Sequence, residues 1–368
     1  MNREETCPNE CRNGEKNELS YTPFRQVEKK YKLYQFSKRE AKRRETPPTD
    51  FVDVVDFSNV ESNTEANRNL IHKVVDKNGG TDRFTCFTFA GVPGLLVFPQ
   101  VLTPEEQVHL CREAVLSYGD SSQHPNILST HAKNPMATTC YQPPMRWSTL
   151  GFSYEWTSKT YNEGVYSPFP ALIKDKMKGL MSLVEHVKQD SFALFPAAPG
   201  DAVETQHYEP QTAIVNYYPV GSMMMCHQDI SEQVLTRPLM SISLGCSCIF
   251  LMGTNSREDT PYAFKLRSGD VVAFAGPSRT AFHSVPRILD DCPPYLTVAD
   301  EDLTETERQS YDNHTYYKNA SPDGSIVPVN KALLSEEERE RYWRLCMKHM
   351  RVNINARQVF EKECAFLF

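Results

Sequence analysis

The 11 cysteines include no CxxC pair and no Cys/His set with zinc-finger spacing; they are odd in number and scattered from Cys7 to Cys364. That pattern argues against the disulfide framework of a small secreted domain and for free, buried thiols in a reducing compartment. Cys246 and Cys248 sit inside an apolar, β-like run. No stretch approaches the roughly 18–20 apolar residues that a membrane helix needs, so no membrane partner is expected. Residues 1–20 have no apolar signal core and mix five acidic with three basic residues, which speaks against a secretory leader and a mitochondrial presequence. The expectation is an intracellular protein of the nucleus or cytoplasm, with the mitochondrion left open. No internal repeat is present.

What the chain does have is size and apolar content. With 368 residues, 40% of them apolar and 11% aromatic, it can build a substantial core. The net charge of −7 argues at first against a nucleic-acid partner, but the sum hides an asymmetry. From Arg25 to Arg44 there are nine Lys or Arg against Glu28 and Glu40, a local +7, so the other 348 residues carry −14. Tyr31, Tyr34 and Phe36 interleave with these charges. Two readings are open: a solvated helix that packs its aromatics on the main body, or an arm that contacts phosphates.

Residues 1–82 read as an N-terminal extension, with the basic segment 25–44, an apolar stretch near 51–57 and a polar linker over 60–82. Residues 83–368 read as one domain with its core at 210–360. Thr103-Pro104-Glu105-Glu106 predicts a capped helix ending near Gly119, and a second capping box, Ser335 with Glu338, predicts a helix to about Lys348. Phe169-Pro170 precedes an amphipathic helix carrying Leu172, Ile173, Met177, Leu180, Met181 and Val184 on one stripe. Short β-like runs follow at 213–218, 239–244, 248–252, 262–266, 271–275 and 281–285, and a last strand at 349–359. Many short strands at close spacing predict a mainly β barrel or sandwich with supporting helices.

Two patterns carry chemistry. In an extended His227-Gln228-Asp229 the imidazole and the carboxylate point to one side, and His283 ends another predicted strand. Two His and one carboxylate on one face leave positions open and suit ferrous iron, although HxD alone is a weak signal. In Arg351-Val352-Asn353-Ile354-Asn355-Ala356-Arg357 polar and apolar residues alternate strictly. This is either an ordinary strand with a wet, charged face or an inward polar face that clamps a dicarboxylate between two arginines roughly 20 Å apart along the chain. Asn216 and Tyr218 share a face on a preceding strand and could donate to the same diacid.

Asn216-x-Tyr218-x-x-Gly221, His227-x-Asp229, Leu244-Gly245, Ser268-Gly269-Asp270-Val271, Ser278-Arg279, His283 and Arg351-x-Asn353-x-x-x-Arg357 together resemble the AlkB family over about residues 85–360. Arg146 to Trp156 and Tyr166-Ser167-Pro168-Phe169-Pro170 resemble its homologue 1 branch. The resemblance implies a double-stranded β-helix (jelly-roll) and dependence on Fe(II), 2-oxoglutarate and dioxygen. It implies iron ligands His227, Asp229 and His283, and 2-oxoglutarate contacts Asn216, Tyr218, Arg351, Asn353 and Arg357. Trp147, Phe152, Ser153, Tyr154, Trp156, Ser231 and Arg279 fall on its substrate side, with Phe152, Tyr154 and Trp156 as either lid or core aromatics. Ser231 departs from the acid that repair members often carry there, although the homologue 1 branch shares the serine.

The expected activity is oxidative demethylation or hydroxylation of methylated bases in tRNA and/or DNA: 1-methyladenine, 5-methylcytosine or N6-methyladenine. A monomer is expected. The alternatives are a protein demethylase or hydroxylase acting on a histone, and a catalytically silent nucleic-acid-binding module. A zinc lyase would use the two His and the Asp but would have no reason to keep a diacid clamp.

Overall fold

The computed structural model describes residues 21–33, 48–74, 85–118, 146–155, 157–184, 188–189, 192–193, 208–305, 307–308 and 333–360. Its elements in chain order are α1 (Pro23–Tyr31), β1 (Val55–Asp56), β2 (Ile71–Lys73), β3 (Phe87–Phe89), β4 (Leu95–Phe98), α2 (Pro104–Leu116), β5 (Trp147–Glu155), β6 (Thr160–Ser167) and α3 (Ala171–Val184). There follow β7 (Thr212–Pro219), β8 (Met224–His227), β9 (Leu239–Gly245), β10 (Cys248–Met252), β11 (Tyr262–Leu266), β12 (Val271–Phe274), β13 (His283–Ile288), α4 (Glu336–Met347) and β14 (Met350–Arg357).

Two sheets face each other. The larger has the order β2-β3-β4-β12-β9-β14-β7-β5-β6 and the smaller β1-β11-β10-β13-β8. Eight short antiparallel strands, β7 to β14, form the jelly-roll between them, which is the mainly β architecture with supporting helices that the sequence predicts.

Both predicted capping boxes form. Thr103 accepts from the Glu106 amide and Ser335 from the Glu338 amide, and each glutamate returns a bond to its cap residue. These helices and α3 cover the outer face of the larger sheet. Leu110, Ala114, Ile173, Met177, Trp343 and Met347 bury themselves against Val215, Ile242, Val352 and Ile354. A second apolar cluster, with Phe89, Phe250, Phe264 and Phe274, fills the space on the side of the smaller sheet.

The last strand settles the choice its alternation leaves open. Val352, Ile354 and Ala356 join the helix-covered core. The opposite face is not wet: Arg351, Asn353 and Arg357 are all buried. β14 lies between β9 and β7, so its polar face lines the inside of the roll.

β13 continues three residues past the predicted run, through Pro286, which cannot donate to a ladder. The register against β10 shifts there, so the proline sits at an irregularity where no hydrogen bond is required.

Strand pairing crosses the expected boundary at residue 82. β1 runs parallel to β11, with Val55 opposite Phe264, and β2 pairs with β3. Residues 60–74 hold short helices and β2 rather than a featureless linker. Phe57 stacks on Phe264 at 5.8 Å, while Phe24 and Tyr31 of α1 pack on Ile249, Leu251 and Ala263. The first third of the basic segment is therefore a helix seated on the smaller sheet, and residues 34–44 lie outside the described part.

Candidate active site

β8 and β13 are antiparallel neighbours, and their register sets His227 directly opposite His283. The two rings lie 4.3 Å apart between centroids. Asp229, just past the end of β8, brings a carboxylate oxygen to 3.8 Å from Nε2 of His283. One donor atom from each of the three lies within 4.8 Å of the others, the one such cluster of metal-ligating side chains among the described residues.

The imidazoles are pre-oriented. His227 Nδ1 is 2.8 Å from the Met225 carbonyl and His283 Nδ1 is 3.1 Å from the Ala281 carbonyl. Each Nδ1–H donates to its carbonyl, which leaves the Nε2 lone pair of both rings for a cation. His283 also stacks on Phe274 at 5.6 Å. Burial, reinforced by the neighbouring His227, pushes its pKa down to about 4, so it is a neutral ligand at neutral pH. Burial alone would raise the pKa of Asp229, but the neighbouring Arg357, followed by the two imidazoles and Arg279, outweighs it and holds the carboxyl well below its ordinary range. Two imidazole nitrogen donors and one carboxylate form the set that suits ferrous iron with open positions.

The cosubstrate side is built on β7, β9 and β14. Arg351 pairs in register with Tyr218, and Asn353 with Asn216. Arg351 is 1% exposed and donates one bond, from Nη2 to Ser243 Oγ at 3.0 Å. Its Nε and Nη1 are buried with no hydrogen-bond partner. A guanidinium with unused donors inside a β-roll is a strong demand for an anion. The Tyr218 phenol beside it is raised by burial and stays protonated, hence a donor. These residues fit the far carboxylate of a small diacid.

Two other members of the expected set also have partners within the protein, while Nε and Nη2 of Arg357 are buried without a hydrogen bond. Asn353 Nδ2 is already used, donating to Ser241 Oγ at 2.7 Å and to the Ile242 carbonyl at 2.9 Å. Arg357 does not simply oppose Arg351. Its Nη1 donates to Glu232 Oε1 at 2.6 Å and its Nη2 lies 3.6 Å from Asp229 Oδ2. Arg279, also buried, donates from Nη2 to Glu232 Oε2 at 2.9 Å, from Nη1 to the Asp229 carbonyl at 2.6 Å and from Nε to the Arg237 carbonyl at 3.1 Å. It ties the loop that carries Asp229 to the short 3-10 turn at 276–280.

Sequence reasoning missed Glu232 and Tyr161. The Glu232 side chain is wholly buried between two guanidinium groups, and Tyr161 donates to it at 3.1 Å. The only sequence signal was an acid three residues past Asp229, in a stretch that reads as loop.

On the substrate side, Trp147 stands opposite Asn216 on the neighbouring strand. Ser153 is buried, next to a register shift between β5 and β6. Tyr154 lies 3.0 Å from the Ser231 hydroxyl and packs on Tyr161, at the edge of the Asp229 loop. Phe152 is buried edge-on against Tyr166 and Phe360, in a cluster on which Tyr161 also packs. Trp156 lies outside the described residues.

Comparison with known proteins agrees with this geometry. The model of the 2OG-Fe(II) oxygenase superfamily matches residues 94–357. The tRNA demethylase abh1 of Schizosaccharomyces pombe is 31% identical, over 58% of this chain and 75% of that protein. The DNA N(6)-methyladenine demethylase ALKBH1A of Arabidopsis thaliana is 28% identical, over 73% and 85%. The nucleic acid dioxygenase ALKBH1 of Mus musculus is 27% identical, over 75% and 67%. On the matched span, the strand order and the two motifs it brings together, the chain belongs to the 2OG-Fe(II) oxygenase superfamily, as an iron- and 2-oxoglutarate-dependent dioxygenase of the AlkB homologue 1 type.

Proposed function

We propose that this enzyme removes or oxidises methyl groups on bases of tRNA and/or DNA, with iron held by His227, Asp229 and His283 and 2-oxoglutarate anchored on Arg351. The observation that carries the site assignment is the buried, under-bonded Arg351 guanidinium in the same roll as the His-Asp-His cluster. The names of the relatives, a tRNA demethylase and a DNA N(6)-methyladenine demethylase, support the substrate class. Bound iron with 2-oxoglutarate and dioxygen supplies an oxidant that hydroxylates a methyl group while 2-oxoglutarate becomes succinate and carbon dioxide.

The chain's own residues do the rest. Carbonyls 225 and 281 fix the imidazole tautomers, Tyr218 and Arg351 hold the far carboxylate, and Arg357 keeps Asp229 ionised and turned inward. A methyl on a base reaches a recessed metal only if the base leaves its stack, and Tyr154, bonded to Ser231, stands at the Asp229 loop. On nitrogen the hydroxymethyl product breaks down to formaldehyde and the free base; on carbon it persists.

The basic face of α1, with Arg25, Lys29 and Lys30, is proposed to contact phosphates and the enzyme to act as a monomer inside the cell. No helix among the described residues is long and apolar enough to cross a membrane. The test is succinate release with iron and 2-oxoglutarate against methylated tRNA, DNA and histone peptides. Stimulation by one of the nucleic acids is expected. Stimulation by the peptide alone would replace this reading with a protein substrate, and no stimulation by any would leave a silent binding module.

A further inference from the structure

Among the described residues β8, the strand that delivers His227, is the outer edge of the smaller sheet and has only β13 beside it. It also carries one extra residue: between the pairs Met224–Val285 and His227–His283 it spends three steps to its partner's two. A bulge on an edge strand leaves a backbone amide without a ladder partner and frees the strand to twist. Here the amide is that of Cys226, one residue before the histidine. It donates at 2.9 Å to Oε1 of Glu28, which comes from α1 at a distance of 198 residues along the chain. Glu28 is 1% exposed although it is charged. Its second oxygen accepts from Arg25 Nη1 at 2.9 Å, and the helix is held down by Phe24 and Tyr31 on β10 and β11.

We infer that Glu28 is a positioning residue for the metal centre: it acts as the missing strand at the edge of β8 and thereby fixes the backbone from which His227 points. The inference rests on His227 being a metal ligand. The charge on Glu28 strengthens the bond to the amide, and Arg25 keeps that charge supplied with a partner. Cys226 also packs on the Phe24 and Tyr31 cluster, whereas the contact of Lys30 Nζ with Asp53 Oδ2 at 2.9 Å does not touch β8.

The probe is Mn(II), titrated into the full chain without turnover, with free metal read by its paramagnetic resonance signal. Wild type should bind one ion and His227→Ala should not. Glu28→Ala should weaken the affinity roughly tenfold, the scale found when a group that orients a ligand is removed. Glu28→Gln keeps an acceptor oxygen in place and should stay within about twofold of wild type, whereas Glu28→Asp, one methylene shorter, should behave like alanine. Asp53→Ala, which breaks the exposed pair with Lys30 and leaves Glu28 in place, should keep the wild-type affinity. Hydrogen exchange on wild type adds a reading that needs no variant: the Cys226 amide should exchange slowly despite its edge position. Unchanged Mn(II) affinity in folded Glu28→Ala or Glu28→Asp, or rapid exchange at Cys226, would overturn the inference and leave the metal site standing. Failure of wild type to bind would remove both.

Discussion

Replacing Arg351 with methionine should move stability and cosubstrate affinity in opposite directions. The side chain is 1% exposed, makes one hydrogen bond and keeps two buried nitrogens unpaired. Losing the bond to Ser243 costs about 1 kcal/mol. Relieving an uncompensated buried charge with an apolar side chain of similar length returns about 1–4 kcal/mol. The net expectation for the cosubstrate-free chain is therefore neutral to about 3 kcal/mol more stable, or a rise in Tm of up to about 6 °C at roughly 2 °C per kcal/mol for a chain of this size. The same change removes the partner of a buried carboxylate, worth about 2–5 kcal/mol, so the apparent Kd for 2-oxoglutarate should rise by at least about 30-fold. KM for 2-oxoglutarate should rise with it, and high 2-oxoglutarate should restore part of kcat. The assays are thermal unfolding without cosubstrate, the shift in Tm on adding 2-oxoglutarate, and a KM determination. A Tm that falls by several degrees, together with unchanged 2-oxoglutarate affinity, would refute the reasoning, because Arg351 would then be a structural residue with satisfied partners.

Two further outcomes follow from buried or half-buried charge. Glu232→Gln leaves Arg357 and Arg279 facing an amide in place of a carboxylate they hold at 2.6 and 2.9 Å. It should cost about 3–5 kcal/mol in urea unfolding, and a loss under about 1 kcal/mol would show that the pair is not intact. Asp56, in contrast, anchors the extension: Arg267 Nη1 donates to it at 2.6 Å. Burial alone would raise the Asp56 pKa, but the bond and charge of Arg267 lower it. The folded value thus lies below the unfolded one. The pair's contribution, about 1 kcal/mol, is present above an ordinary carboxylate pKa of about 3.9 and lost as pH falls through the folded value. Wild type should exceed Asp56→Asn by that amount at pH 6 and converge with it in acid; an unchanging gap down to pH 2 would contradict the sign.

What was legible in the sequence was whatever depends on local periodicity. Strands β10 and β11 are found where their apolar runs stand, and both capping boxes start helices because the cap is a local bond. The alternation over 351–357 shows which residues share a face but not which face is buried; that is decided by α2, α3 and α4 covering one side of the sheet. The same ambiguity leaves Phe152 open between lid and core in the sequence, since its neighbours Tyr166 and Phe360 are set by the fold.

Glu28 and Glu232 were illegible for a stronger reason. Each is an acid in a stretch that reads as solvated, and each is buried because of a partner far away: an amide 198 residues on for Glu28 and an arginine 125 residues on for Glu232. A buried carboxylate is tolerated only with such partners, so its place in the fold follows from long-range topology and has no signature of its own. The net charge of −7 hides both acids, since neither contributes to the surface field that the sum was first used to judge. One steadies the strand that carries His227 and the other keeps Arg357 turned toward Asp229. Two acids that the net charge merely counts are, in the fold, part of the frame around the His-Asp-His cluster.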